Sequence, residues 1–152
     1  MATEFMNYRD DKGFNISDVF MQLVIYYIQE ELKKPQYIFS NKNLFIIGHE
    51  GIINGYQNGF LALPWKNIIV DINEEQIMIQ ILQTVKSSLR NKGDFITVSE
   101  LQSIQTEDEY FKHFYSKKPF PVEELIKIID ALIEMIQGTW TFTNYDMEIL
   151  YY

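Results

Sequence analysis

The strongest constraint on the fold lies near the C-terminus, where Leu125, Ile128, Ile129, Leu132, Ile133 and Ile136 recur at three- and four-residue steps and lay one apolar stripe along a helix. Pro119-Phe120-Pro121 stiffens the chain before this run, and Gly138 stands where a helix ends in a left-handed residue. Such a stripe must be buried, so the rest of the chain has to supply partners for it. Two further helices meet that need. Ser17 is a good N-cap for a run carrying Phe20, Leu23, Val24, Tyr27, Ile28 and Leu32, which stops at Lys33-Lys34-Pro35. Asn73 followed by Glu74, Glu75 and Gln76 reads as a capping box ahead of Ile77, Met78, Ile81, Leu82, Val85 and Leu89, and Asn91-Lys92-Gly93 ends that helix.

Between the first two helices, from Gln36 to Ile72, the texture changes to short β-prone runs: Tyr37–Phe39, Leu44–Ile47, Phe60–Leu63 and Ile68–Ile72. Asn54-Gly55 and Asn58-Gly59 read as hairpin turns, and Pro64 places the strand before it at an end or an edge. Asp94–Val98 reads as another short strand, and the pairs Ser99/Gln102 and Thr106/Glu109 predict one or two short helices before Tyr115. After Gly138, Thr139–Thr143 alternates with period two, and Met147, Ile149 and Tyr151 continue the alternation to a strand or hairpin. The expected fold is α+β: an antiparallel sheet of roughly five to seven short strands with three or four helices packed on it. One domain is expected over residues 1–152, with 1–13 as a disordered N-terminal segment.

The chain has no cysteine, which removes disulfides, thiolate metal sites and a cysteine nucleophile together and fits a reducing compartment. Met1–Gly13 lacks the basic start and apolar run of a secretory signal, and Leu23–Ile28, the longest apolar run, is far short of the roughly 20 residues that span a bilayer. A cytoplasmic location without membrane attachment is therefore expected. The net charge is −8, distributed unevenly: residues 1–98 hold nine basic and eleven acidic side chains, residues 99–152 four and ten. Such a field repels nucleic acid and anionic lipid and favours a basic partner.

Catalytic signatures fail on inspection. His49-Glu50 lacks the second histidine of a metalloprotease helix, since Ile53 occupies its place, and reads as a solvated turn histidine. With His113 the only other histidine, no metal or cofactor is expected. Gly48, Gly51, Gly55 and Gly59 lead to Phe60-Leu61 and Pro64 instead of the Gly-Lys-Ser/Thr of a phosphate loop, and no Gly-x-Ser-x-Gly elbow occurs. The acids Glu107, Asp108, Glu109, Glu123 and Glu124 fall at helix starts, where capping explains them.

One pattern points outward. Glu107-Asp108-Glu109 runs into Tyr110 and Phe111, and Tyr145-Asp146-Met147-Glu148 mixes acid with aromatic in the same way. Tyrosine, phenylalanine and methionine are favoured at interface centres, and an acidic surround steers a basic partner inward. In size, acidity, lack of cysteine and aromatic content, the whole chain resembles the bacterial immunity proteins that neutralise toxin domains in contact-dependent growth inhibition. That resemblance implies a cytoplasmic, non-catalytic inhibitor of a cognate toxin, often a basic nuclease. Glu107, Asp108, Glu109, Asp146 and Glu148 would supply charge to the interface, and Tyr110, Phe111 and Tyr145 contact area. Two alternatives stand beside it: a small hydrolase with a carboxylate pair near Gly48–Gly59, where Glu50 is the candidate, and a homodimeric structural or regulatory subunit paired through an exposed strand at Thr139–Tyr152.

Overall fold

The computed structural model describes residues 1–151, and its centre is the first helix. This helix, α1 (Asp18–Leu32), is buried at every residue except Tyr26, Tyr27 and Glu30. A helix surrounded on nearly all sides cannot leave its polar residues in water, so each needs a partner inside the protein. Gln22 donates to the Asp108 carboxylate (2.9 Å), Gln29 donates to the Ile46 carbonyl (3.1 Å), and Glu31 accepts from Tyr37 (2.6 Å) and Lys34 (2.9 Å). Around α1 pack α2 (Lys42–Ile53), α3 (Ile72–Asn91) and α6 (Val122–Gln137), the last two also packing on each other. The short helices α4 (Val98–Ser103) and α5 (Glu109–Phe114) lie between α3 and α6 in the chain. None of these helices is long and apolar enough to cross a membrane.

The α+β class holds, but the sheet differs from the one expected. Two small sheets replace it. The first comprises β1 (Thr3–Asn7), β2 (Gly13–Ser17) and β5 (Tyr145–Asp146), with β1 and β2 antiparallel and β2 and β5 parallel. The second is a two-residue antiparallel pair, β3 (Phe95–Ile96) with β4 (Phe120–Pro121). The N-terminal segment expected to be disordered is thus a hairpin. It faces Met6, Phe14 and Ile16 into the core and turns through Asp10, which lies at φ 51° in the left-handed region that aspartate tolerates. Gly13 closes the ladder: a Cβ there would fall 1.9 Å from the Met6 carbonyl oxygen. Gly13→Ala should therefore cost about 1–3 kcal/mol in urea unfolding, the range for forcing an atom into a packed site.

The four strands expected over Gln36–Ile72 are absent. Leu44–Ile47 belongs to α2, whose buried residues Phe45, His49, Ile52 and Ile53 follow helical spacing, and Pro64–Asn67 forms a short 3₁₀ turn. The β-branched residues and glycines of this stretch gave a strand signature that tertiary packing overrides. Gly55, at φ 77°, terminates α2 and is not part of a hairpin turn. The cap of α3 also shifts, from Asn73 to Asp71, whose side chain accepts from the Glu74 amide at 2.9 Å. The C-terminal segment carries only the two ladder residues of β5 in place of a full strand or hairpin, and Tyr152 lies outside the described residues. Trp140 anchors the segment by donating to the Gly13 carbonyl at 2.9 Å.

Candidate interaction surface

The acid-aromatic run at α5 is built on the end of α2. Thr106 Oγ1 donates to the Ile53 carbonyl (2.7 Å) and accepts from the Asp108 amide (3.0 Å), while the Glu107 amide donates to Asn54 Oδ1 (3.0 Å). These bonds hold Asp108 against Gly55 so closely that a Cβ on the glycine would lie 2.5 Å from Asp108 Oδ2. The predicted site residues then divide. Asp108 is committed to the fold: Oδ1 caps α5 by accepting from the Tyr110 and Phe111 amides (3.0 and 3.2 Å), and Oδ2 accepts from Gln22 and Asn58 (both 2.9 Å). Phe111 is buried in the core and offers no contact area. Glu107, Glu109 and Tyr110 are exposed. Beside them stands Tyr56, 61% exposed, whose hydroxyl donates to the Glu107 carboxylate. That hydrogen bond holds the Tyr56 phenol above its ordinary pKa. The sequence reading missed Tyr56; its only sequence signal was a position between two Asn-Gly pairs.

Glu4 is buried at the hairpin, and burial pushes its carboxyl above the usual range; the Asp18 charge adds to this, while hydrogen bonding from the Leu61 and Gly59 backbone opposes it. Glu4 Oε1, Gln22 Oε1 and Asn58 Oδ1 are buried without a hydrogen-bond partner. A shallow cavity of about 360 Å³ opens here, lined by Met1, Ala2, Asp18, Asn58, Gly59 and Tyr110. Among the described residues the only lysine or arginine paired with an acid of this corner is Lys112, on Glu109 at 3.4 Å.

The second run lies elsewhere. Asp146, in β5, accepts from Asn15 at 3.0 Å, and Tyr145 packs its ring against Trp140 and Phe142 (5.3 and 5.2 Å between centroids). Glu148 is exposed, and its carbonyl accepts from Lys127 at 2.8 Å. No hydrogen bond, ion pair or ring contact among the described residues joins residues 145–148 to 107–110.

A cavity of about 400 Å³ between α1, α3 and α4 is lined by three acids and two lysines, and two of the acids are paired. Lys34 holds Glu31, and Lys92 and the Tyr27 hydroxyl hold Glu100. Glu50 lines a separate cavity of about 220 Å³ with Tyr26, Glu30 and Gln105. His49 is not a solvated turn residue: it is fully buried in α2, hydrogen-bonded to Gln29 and Trp65 at 3.0 Å each. Among the described residues no three His, Asp or Glu side chains are arranged to hold a metal ion. Comparisons with protein-family models, with curated proteins and with solved structures find no match to this chain.

Proposed function

We propose that this chain is a non-catalytic protein-binding module of immunity type, which binds a cognate toxin domain of basic character in the cytoplasm and neutralises it. The observation that supports this reading is the corner at α5. Two exposed tyrosines, Tyr56 and Tyr110, stand beside the exposed carboxylates of Glu107 and Glu109, above a cluster in which three buried acceptor oxygens have no donor. Tyrosines supply large contact area at low entropic cost, and exposed carboxylates, of which Glu109 has one lysine partner and Glu107 is held by a tyrosine hydroxyl, attract a cationic surface before contact is made. Tyr145, Asp146 and Glu148 would form a separate, secondary contact.

The test begins with capture of a partner from the native host at about 50 mM and about 500 mM salt, where the screening length differs severalfold. The captured domain should be basic, should associate more slowly at high salt, and should lose its toxicity when this chain is co-expressed. Glu107→Gln combined with Tyr110→Ala should weaken the complex by at least about tenfold, as expected for a central aromatic contact with its steering charge. Tyr145→Ala with Glu148→Gln should have a smaller effect. An acidic partner, or affinity indifferent to salt and to the α5 substitutions, overturns the proposal.

A further inference from the structure

The shallow cavity of about 360 Å³ at the α5 corner brings a buried acid together with an exposed ring. Asp18 lines it and is only 2% exposed, while Tyr110, 44% exposed, forms an aromatic wall. Asp18 opens α1, and its Oδ2 accepts from the Ala2 amide at 3.2 Å, so the carboxylate is fixed between the first helix and the residue before β1. Glu4, also buried, feels the Asp18 charge, and Glu4 Oε1 has no hydrogen-bond partner. Asn58 completes the wall. Its amide group donates to Asp108 at 2.9 Å, which leaves Oδ1, buried and unpartnered, as an open acceptor. No lysine, arginine or histidine stands among the described residues that line the cavity.

These groups select a ligand by its chemistry. A guest must be cationic to satisfy Asp18 beside Glu4, must donate hydrogen bonds without needing any in return, and must lie flat on the Tyr110 ring. A guanidinium meets all three conditions: it keeps its charge, presents several N–H donors and no acceptor, and stacks on aromatic faces. An ammonium shares the charge but has fewer donors and no plane. We infer that this cavity seats an arginine side chain of the basic partner, with the guanidinium against the Tyr110 ring and hydrogen-bonded to the Asp18 carboxylate. The volume suits it: at about 30 Å³ per water-sized group the space holds about a dozen non-hydrogen atoms, against about seven in an arginine side chain. Two buried acids within reach of one another disfavour each other's ionisation, so a bound cation relieves a repulsion that the fold otherwise carries. The inference rests on the toxin-binding reading for the source of the arginine, and it sharpens that reading: Glu107 and Glu109 steer the partner, and the hollow at Tyr110 takes its anchor.

Titration of the isotope-labelled full chain with N-acetyl-arginine methylamide at constant ionic strength, followed by amide shifts, tests the site without any partner. Saturable shifts are expected at Ala2, Asp18, Gly59 and Tyr110, with a dissociation constant on the order of 1–10 mM for so small a ligand. The citrulline analogue, of the same shape but uncharged, should bind at least about fivefold more weakly, and the lysine analogue at least about twofold. Asp18→Asn, which keeps an acceptor for the Ala2 amide, should weaken the arginine probe at least about fivefold, and Tyr110→Ala, at an exposed ring, about threefold. With the captured domain, Asp18→Asn should weaken the complex at least about tenfold. The inference is overturned if the probe produces no saturable shift at these residues by about 50 mM, if citrulline or lysine binds as well as arginine, if both variants keep wild-type affinity for the probe, or if Asp18→Asn leaves the complex unchanged. Absence of probe binding leaves the toxin-binding reading standing, whereas failure to capture a basic domain removes that reading while the titration still decides the guanidinium site.

Discussion

Acidification from pH 7 to pH 4 should lower the unfolding free energy of this protein by about 3 kcal/mol through His49 alone. The imidazole is fully buried, and burial lowers its pKa from 6.5 to about 3. Its hydrogen bonds fix the tautomer: the Trp65 indole donates to Nε2, so Nδ1 carries the proton and donates to Gln29 Oε1. A second proton would set N–H against N–H at Trp65. The folded state therefore resists protonation that the unfolded chain accepts. The stabilisation is complete above the unfolded pKa of 6.5 and is lost as pH falls toward about 3, with a slope near 1.4 kcal/mol per pH unit. The control is His49→Gln, whose amide offers both a donor and an acceptor but does not titrate. In urea unfolding across this range, the stability difference between wild type and variant should shrink, or reverse, as pH falls. Parallel pH profiles would show that His49 is not held neutral.

The same histidine shows where the sequence was legible and where it was not. The three long helices could be read because their apolar stripes have a single period; for α6 the stripe, Gly138 and the preceding prolines all agree, and Gly138 takes the left-handed conformation at φ 79°. α2 could not be read that way. Its sequence, KNLFIIGHEGII, is apolar nearly all round and interrupted by two glycines, so a strand reading competed equally. Gly48 lies against Pro64, where a Cβ would be 3.5 Å from the ring; that contact couples residues too far apart in the chain for local patterning to show. In α1 the apolar stripe was legible, but the burial of the polar residues off that stripe was not. Gln22, Gln29 and Glu31 are polar and buried, and only their partners Asp108, His49 and Tyr37 reveal why. The N-terminal hairpin was hidden by its charged turn, Arg9-Asp10-Asp11-Lys12, although Met6, Phe14 and Ile16 mark its inner face. At the candidate surface, composition located Glu107, Glu109 and Tyr110, while Tyr56 and the Asn58 side chain join them only through the fold.

Asp108 separates a structural role from an interface role, and the two make opposite predictions for adjacent acids. Asp108→Ala removes an N-cap, worth about 0.5–2 kcal/mol, and takes the carboxylate acceptor from the buried Gln22 amide, which keeps only a long contact to the Ile53 carbonyl (3.5 Å), and from the half-buried Asn58 amide, at about 1–3 kcal/mol for a buried group left unpaired. A loss of about 3–5 kcal/mol is expected, close to the limit for single substitutions. Asp108→Asn should cost less, because its Oδ1 can still cap α5, although its amide then faces the amide donors of Gln22 and Asn58. Glu107→Gln, one residue earlier and exposed, should change stability by no more than about 0.5 kcal/mol, since its contact is with the equally exposed Tyr56. If the acids of this run served the interface alike, all three would affect partner affinity with little change in folding. The geometry instead assigns Asp108 to stitching α5 onto α1 and the turn after α2, a role that thermal unfolding of the isolated chain measures with no partner present. A melting temperature for Asp108→Ala within a degree or two of wild type would remove that role, and with it the basis for treating Glu107 and Glu109, but not Asp108, as the charges available to a bound protein.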